Sequence, residues 1–557
     1  MFTKTSRTPL LALLLVACGS DMETPVDGAT DLPGASDAGV LDMNAPETDS
    51  SRRDMRTFDM SAQADAGARV DAGAVDAMDV GADAGMRDLR GQPDWPLQVL
   101  GTLRPRTFPG IPYAAKLGVV GGLWPYRYAL DDASVARGMR IEEDGTLRWP
   151  EPNAGTESVR ILITDQRGNR IEHVHELRVE VANMLFVSSE GNDENTGSAD
   201  RPLRTLRAAL DASNADTLIY LRSGRYAVRD RLDLDPAHAS HLLGHPSDPT
   251  HSAVIDFESE GRFNLGGRST HARGIEGLTL ANGRNYGVLA SSAHNVSIHS
   301  NRFDGLTMDD NAGNHSFLYF AGHGSTDARH SLVRIQDNLF VGFRCDARCG
   351  SNKGASTWFD VHESLFERNT LTDFQGGIGF TDKDNSFHNT CRSNTFDGTP
   401  MMVLGQAGAV ELNIHDNLVE NAEFRICAST SDRCRDVFVH HNTVRSRDPA
   451  VTFITGFGGT TERLQIYFNI FDTEASAYRA RCGALPALLD KLDANANLIT
   501  TDSDLLLSNA CPSDGQFNRM DWQGLGFDID SAFEPVSTDA RGVPLGAFRG
   551  THGRRPR

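Results

Sequence analysis

The chain has 557 residues, 23% of them charged, and a formal net charge of −21 from 54 Lys and Arg against 75 Asp and Glu. That length allows two or three domains, and the acidity argues against nucleic acid as a partner, since a phosphate backbone is bound by basic surfaces. Residues 21–90 alone carry 16 acidic and 6 basic side chains, so about half of the acidity belongs to one segment and acidic polysaccharides stay open as ligands of local basic clusters elsewhere.

Residues 1–20 begin with Lys4 and Arg7, run apolar from Leu10 to Val16 and end in Leu15-Val16-Ala17-Cys18-Gly19. The run is too short to span a bilayer as a mature helix, so residues 1–18 read as a cleaved export signal. Its end resembles the lipobox of bacterial lipoproteins. The resemblance implies lipidation of Cys18 and, with Gly19 following, a lipid-anchored outer-membrane protein at the cell surface.

Residues 19–94 are rich in Asp, Ala, Gly and Ser, with Asp-Ala-Gly units at Asp37, Asp65, Asp71 and Asp83. Such a composition buries too little apolar surface to offset chain entropy, so a disordered tether is expected, with a reach of roughly 50 Å. Residues 95–182 alternate β-prone runs (Tyr126–Leu130, Thr146–Trp149, Val159–Thr164, Leu177–Val181) with turns such as Asp144-Gly145. Gly110-Ile111-Pro112-Tyr113, Pro125-Tyr126-Arg127-Tyr128 and Ile163-Thr164-Asp165 resemble the Ig-like, cadherin-like modules of bacterial surface proteins, which implies a β-sandwich acting as a spacer.

The character changes at Phe186-Val187-Ser188, followed by Gly191-Asn192-Asp193, Arg201-Pro202-Leu203-Arg204-Thr205-Leu206 and a short amphipathic helix to Ala212. Then come Thr217–Leu221 and Gly224-Arg225-Tyr226, with Val254–Asp256 and Ile275–Leu280 as the next apolar runs. This order resembles the opening of right-handed parallel β-helix proteins of the pectate-lyase-like group, in which a helix covers the first coil. Asp539–Gly542 and Gly546–Phe548 resemble the closing segment of such proteins. The expected fold is therefore all-β: tether, Ig-like sandwich at 95–182, right-handed parallel β-helix at 184–550 and a basic tail at 551–557.

The β-helix region carries its own internal evidence. Apolar, any, apolar, any, any, Asn, any, apolar recurs eight times, at Asn301, Asn338, Asn369, Asn394, Asn417, Asn442, Asn469 and Asn497, spaced by 37, 31, 25, 23, 25, 27 and 28 residues. A fixed local pattern with a drifting period is what coils with variable loops produce. Asn suits a tight turn because it tolerates unusual backbone angles, and its amide can bond to the next Asn along a stack. All eight are read as structural. Strand alternation then assigns a further strand to each coil, at Gly377–Thr381, Met401–Leu404, Glu423–Cys427 and Val451–Ile454. Ile378, Phe380, Met402, Leu404, Phe424, Ile426, Val451 and Phe453 should face inward and Thr381, Glu423 and Arg425 outward.

Seven of the eight cysteines lie beyond residue 344, which fits an oxidising compartment. Cys391 occupies an inward ladder position and reads as a buried free thiol. Cys345 and Cys427 stand at similar points of coils three steps apart, roughly 14 Å at the spacing of strands in a sheet, beyond disulfide reach. Local pairs are chosen instead: Cys345 with Cys349, Cys427 with Cys434, and Cys482 with Cys511.

Two catalytic chemistries and one non-catalytic role are compatible with the chain. Thr381-Asp382-Lys383-Asp384-Asn385, followed by Asn389-Thr390-Cys391-Arg392, resembles the lysine-bearing coil of alginate-lyase-like and chondroitinase-like enzymes. That implies Lys383 as the base removing the proton α to a uronate carboxylate, with Arg344 and Arg425 on the same side as uronate contacts. Where that family has two calcium-binding acids, this chain has Gly376-Gly377-Ile378-Gly379, and Leu404-Gly405-Gln406 stands where it has an arginine. Asp309-Asp310, Gly322-His323-Gly324 and Arg334-Ile335 follow the order of polygalacturonase motifs, but they fall within one coil interval and Ile335 is a ladder residue. Asp304, Asp309 and Asp310 form an oxygen-rich loop that could bind Ca²⁺. The leading expectation is a monomeric surface protein that recognises an extracellular polysaccharide, with β-elimination around Lys383. The alternative is a non-catalytic adhesin or surface scaffold.

Overall fold

The computed structural model describes residues 90–533, apart from 236, 239, 268–271, 309–314, 322–329, 346–352, 384, 400, 404–409, 423, 427–433, 448–450, 454–461, 481–487, 491, 502 and 510–515. The expected signal, Cys18, most of the tether and the basic tail therefore lie outside the described residues, as do Asp309, Asp310, Cys349, Cys427, Cys482 and Cys511.

From Met184 onward the chain builds a parallel β-helix of three strand stacks. The first runs from Met184–Val187 to Leu492–Asn495 and forms a 13-stranded sheet. The second runs from Gly224–Ala227 to Leu498–Thr501 and the third from Arg231–Leu234 to Leu507–Asn509, together a 22-stranded sheet. The repeat's apolar positions meet in register: Ile298, Ile335, Phe366, Cys391, Ile414, Val439, Ile466 and Ala494 line up in the first stack. Phe303, Phe340, Leu371, Phe396, Val419, Val444, Phe471 and Ile499 line up in the second. All sixteen are buried in one core. A short helix, Leu206–Asp211, is capped by Thr205 and buries Leu206, Ala209 and Leu210 against the first coils. It covers a sheet end that would otherwise be open to pairing.

The eight asparagines occupy the corner between the first and second stacks. Each Oδ1 from Asn338 onward accepts the backbone N–H of the preceding ladder asparagine, as in Asn301 to Asn338 at 3.0 Å and Asn394 to Asn417 at 3.0 Å. Each Nδ2 donates to a main-chain carbonyl of the level before, as Asn394 does to Phe366 at 3.0 Å. The expected amide ladder is present. The turn geometry differs from expectation in one respect: the left-handed residue is the one before each Asn. Ser300, Asp337, Arg368, Ser393, Asp416, His441, Phe468 and Ala496 hold φ between 53° and 57°. Each costs about 1–2 kcal/mol relative to right-handed backbone, and the doubly bonded amide beside it offsets that strain.

Residues before the helix form a separate module. A four-stranded sheet (Arg106–Thr107, Arg170–Val179, Gly155–Thr164, Arg127–Leu130) and a three-stranded one (Tyr113–Lys116, Thr146–Trp149, Arg140–Ile141) share a core that includes Tyr113, Leu147, Trp149, Ile161 and Leu177. The module is not a free spacer. It lies along the outer face of the first stack, where Arg104 Nε donates to Glu276 Oε2 at 3.2 Å and Arg334 to the Thr102 carbonyl at 2.9 Å. Gln336 donates to the Leu117 carbonyl at 3.1 Å, and Arg392 donates to the Val119 carbonyl at 2.7 Å and the Tyr126 hydroxyl at 3.1 Å. Burial alone would raise the Glu276 pKa, but Arg104 holds it below the usual carboxylate range. Glu367, buried yet facing Arg368 and Arg392, is brought down to about 2. Desolvated pairs of this kind are costly to break, because one charge is then left buried without its partner.

Candidate functional site

Outward positions of the third stack form a row, Asn264, Leu289, Tyr319, Thr357 and Thr381, whose backbone register continues through Met402 to Arg425. Met401, not Met402, is therefore in register with Phe380 and Phe424, which corrects the expected parity of that strand. Leu404 and Glu423 lie outside the described residues.

Aromatic rings run beside this row. Tyr286 packs on His315 at 5.1 Å and on Tyr319 at 5.5 Å, and Tyr319 meets Phe359 edge-on at 5.5 Å. Lys383, paired in register with Phe359, holds its Nζ over that ring at 4.3 Å, a favourable cation–π arrangement. Tyr286 is half-buried, whereas Lys383 is only 3% exposed. The lysine is the last residue of the strand Ile378–Lys383 rather than a solvated turn residue just past it.

The other expected site residues are only partly gathered here. Arg425 shares the third stack, two levels beyond the Lys383 strand. Arg344 does not: it ends a strand of the second stack, Leu339–Arg344, and donates to Asp373 Oδ2 at 2.7 Å. The second-stack strand has six residues here and three at Leu418–Glu420, so a count from the ladder Asn placed Arg344 on the wrong face. Asp304 also sits on the second stack, 2.8 Å from Arg302, so its carboxylate already has a cation partner, and Asp309 and Asp310 fall outside the described residues. Gly376 and Gly377 hold φ of 76° and 80°, backbone that acidic ligands would adopt only with strain. The described residues thus give no carboxylate set beside Lys383 on which a calcium-assisted step can be built.

The polygalacturonase-like order has a structural explanation. Ile335 is fully buried in the ladder and Arg334 is 1% exposed, bonded to Thr102 and Asn295. Cys391 is a free buried thiol whose pKa burial pushes well up. Cys345 and Cys434 are both disulfide-bonded, with the pairing itself outside the described residues.

One titratable group escaped the sequence reading. Asp382 lies in register with Trp358, on the inward side of the strand, and is 2% exposed. Its Oδ2 accepts from Asn389 Nδ2 at 3.0 Å while Oδ1 has no hydrogen-bond partner. Burial pushes its carboxyl up to about 7. The Asp382-Lys383-Asp384 run looks solvated in one dimension; strand alternation sends Asp382 inward.

No family profile matches the sequence. Part of the chain is similar to pectate lyase PEL9 of Emericella nidulans, with 26% identity over 208 residues, 32% of this chain and 48% of that protein. The chain therefore spans about half the length of the curated relative it matches. Among solved structures, the family 28 exopolygalacturonase of Yersinia enterocolitica aligns with a TM-score of 0.32 and 10% identity over 79% of this chain and 83% of that one. The PL6 family alginate lyase AlyGC aligns with a TM-score of 0.34 and 12% identity over 67% and 57%. The strand stacks define a parallel β-helix, and part of its sequence is similar to a pectate lyase.

Proposed function

We propose that the outward face of the third stack, from Tyr286 to Arg425, recognises an extracellular acidic polysaccharide and that Lys383 is the base of a β-elimination on it. The carrying observation is the aromatic row Tyr286, Tyr319, Phe359, which ends at the Lys383 side chain. Aromatic faces bind the apolar faces of sugar rings, and a few polar groups fix orientation. In the reaction Lys383 takes the proton α to the uronate carboxylate, a carbon–carbon double bond forms, and the glycosidic C–O bond breaks with protonation of the leaving oxygen. Arg425, on the same stack, is the side chain assigned to the carboxylate. In the same proposal the chain is held at the outer membrane by lipidated Cys18, and the module at 95–182 is Ig-like.

A second reading, recognition without cleavage as in an adhesin or scaffold, is favoured by the 3% exposure of Lys383 and by Arg344 lying on another stack. The test is incubation of the chain with polygalacturonate, alginate and chondroitin, following the absorbance of the unsaturated product. Product formed by the parent chain and lost in Lys383→Ala supports the lyase. Binding to one of these polymers with no product on any of them supports recognition alone.

A further inference from the structure

The seam between the module and the β-helix contains a cleft of about 680 Å³, inside the roughly 300–1,000 Å³ range of small-molecule sites. Trp124, Arg127, Tyr128 and Glu143 line it from the module, and Arg368 and Ser393 from the helix. None of these residues belongs to the face proposed for the acidic polysaccharide, and the cleft opens on the first stack, away from the row around Lys383.

Its chemistry is specific. Most of its charges are already neutralised: Glu142 pairs with Arg148 at 2.7 Å, Asp144 with Lys116, and Glu367 with Arg368 at 2.6 Å and Arg392 at 2.9 Å. The Arg127 guanidinium, the Glu143 carboxylate, the Trp124 indole N–H and the Tyr128 hydroxyl make no hydrogen bond to another described residue. Trp124 and Tyr128 are half-buried, while Arg127 and Glu143 are exposed. The cleft thus offers two amphipathic aromatic side chains, one free donor of positive charge and one free acceptor of negative charge. With those pairs neutralised, the lining charges left over are one guanidinium, Arg127, and one carboxylate, Glu143. That balance, with no surplus cation to hold a carboxylate, suits a ligand with hydroxyls and no net charge.

We propose that this cleft is a second saccharide site, specific for a neutral sugar unit. Trp124 and Tyr128 stack on the ring, and Arg127 and Glu143 bond its hydroxyls. The site would add a neutral-glycan contact on the face opposite in kind to the acidic-polysaccharide face, and it stands or falls independently of Lys383.

Tryptophan fluorescence reads it directly. Trp149, Trp358 and Trp522 are buried and Trp95 is stacked on His388 at 4.1 Å, so Trp124 is the indole that a cleft ligand quenches. The probes are the neutral β-1,4-linked tetrasaccharides of glucose, xylose, mannose and galactose, with tetragalacturonate for comparison, titrated into the full chain. At least one neutral tetrasaccharide should quench, with binding at least tenfold weaker in Trp124→Ala and unchanged in Lys383→Ala. The Arg127→Ala/Glu143→Ala double variant, altered only at exposed side chains, should weaken the same titration and serves if Trp124→Ala does not fold. Absence of quenching by all four neutral sugars, or unchanged affinity in both cleft variants, overturns the proposal. So does a loss in the cleft variants that affects only tetragalacturonate.

Discussion

Asn497 Nδ2 donates to Asp528 Oδ1 at 2.9 Å, and this contact terminates the asparagine ladder. Asp528 is fully buried and also accepts from Ser531 Oγ at 2.6 Å, Tyr478 at 2.9 Å and Trp522 Nε1 at 2.9 Å. Ser531 Oγ in turn accepts the Asn497 N–H at 2.8 Å. Asp528→Ala strands four donors and should destabilise the helix by about 3–5 kcal/mol, since hydrogen bonds to a charged group contribute roughly 1.5–3 kcal/mol each and do not add fully. Urea unfolding followed by far-ultraviolet circular dichroism measures it, with Ser531→Ala expected at about 1 kcal/mol.

Within the ladder the cost spreads to both neighbours. Asn394→Ala removes the bonds to Phe366 and Asn417 and leaves the Asn369 amide without its acceptor. A loss of about 2–4 kcal/mol is expected. Asn394→Asp should be at least as harmful, because its carboxylate would face Asn417 Oδ1 in place of a donor. Equal thermal midpoints for parent and both variants would contradict the ladder's energetic role.

Asp382 makes stability fall as pH rises between about 3.8 and about 7. Burial raises its carboxyl from the ordinary 3.8 to about 7, so its contribution is fully present below the unfolded value and is lost as pH rises through about 7. The difference corresponds to about 4 kcal/mol, taken at about 1.4 kcal/mol per unit. Asp382→Asn keeps the shape and removes the titration. It should raise the melting temperature at pH 8 and leave it nearly unchanged at pH 4.

The seam between module and helix responds in the opposite direction. Glu367 is depressed from 4.5 to about 2, so its contribution is present above about 4.5 and is lost as pH falls through about 2. Limited proteolysis with an acid-active protease should release the module's connection near pH 2 and not at pH 5. Arg392→Ala should reproduce that release at neutral pH, at a cost of about 3–5 kcal/mol, because Glu367 stays buried without one of its cations.

The register of the helix was legible because the apolar positions three before and two after each Asn repeat without exception. Parity in the third stack was not: Met401–Val403 has three residues, so nothing local fixes which of Met401 and Met402 comes into register with Phe380. The left-handed corner was hidden because its occupants, from Arg368 to Phe468, share no residue type. The docking face was misread for another reason. Gln336, Glu367, Arg392 and His415 all stand two residues before a ladder Asn and are all buried; alternation alone reads such polar residues as solvated. Their recurrence as large polar side chains at one repeat position was the available signal.

The path of residues 90–182 has a mechanical consequence. Arg90 pairs with Asp530 at 3.0 Å and lies over Tyr467, Trp95 stacks on His388, Arg104 reaches Glu276, and Met184 then starts the first strand. The chain therefore enters beside the last coils and travels back along the stack before it begins to wind. A pull arriving through residue 90 loads that whole seam in shear, with Arg392, Gln336 and Arg334 bearing it together. Peeling of the first coil, the weakest mode for a stack of short parallel strands, is bypassed.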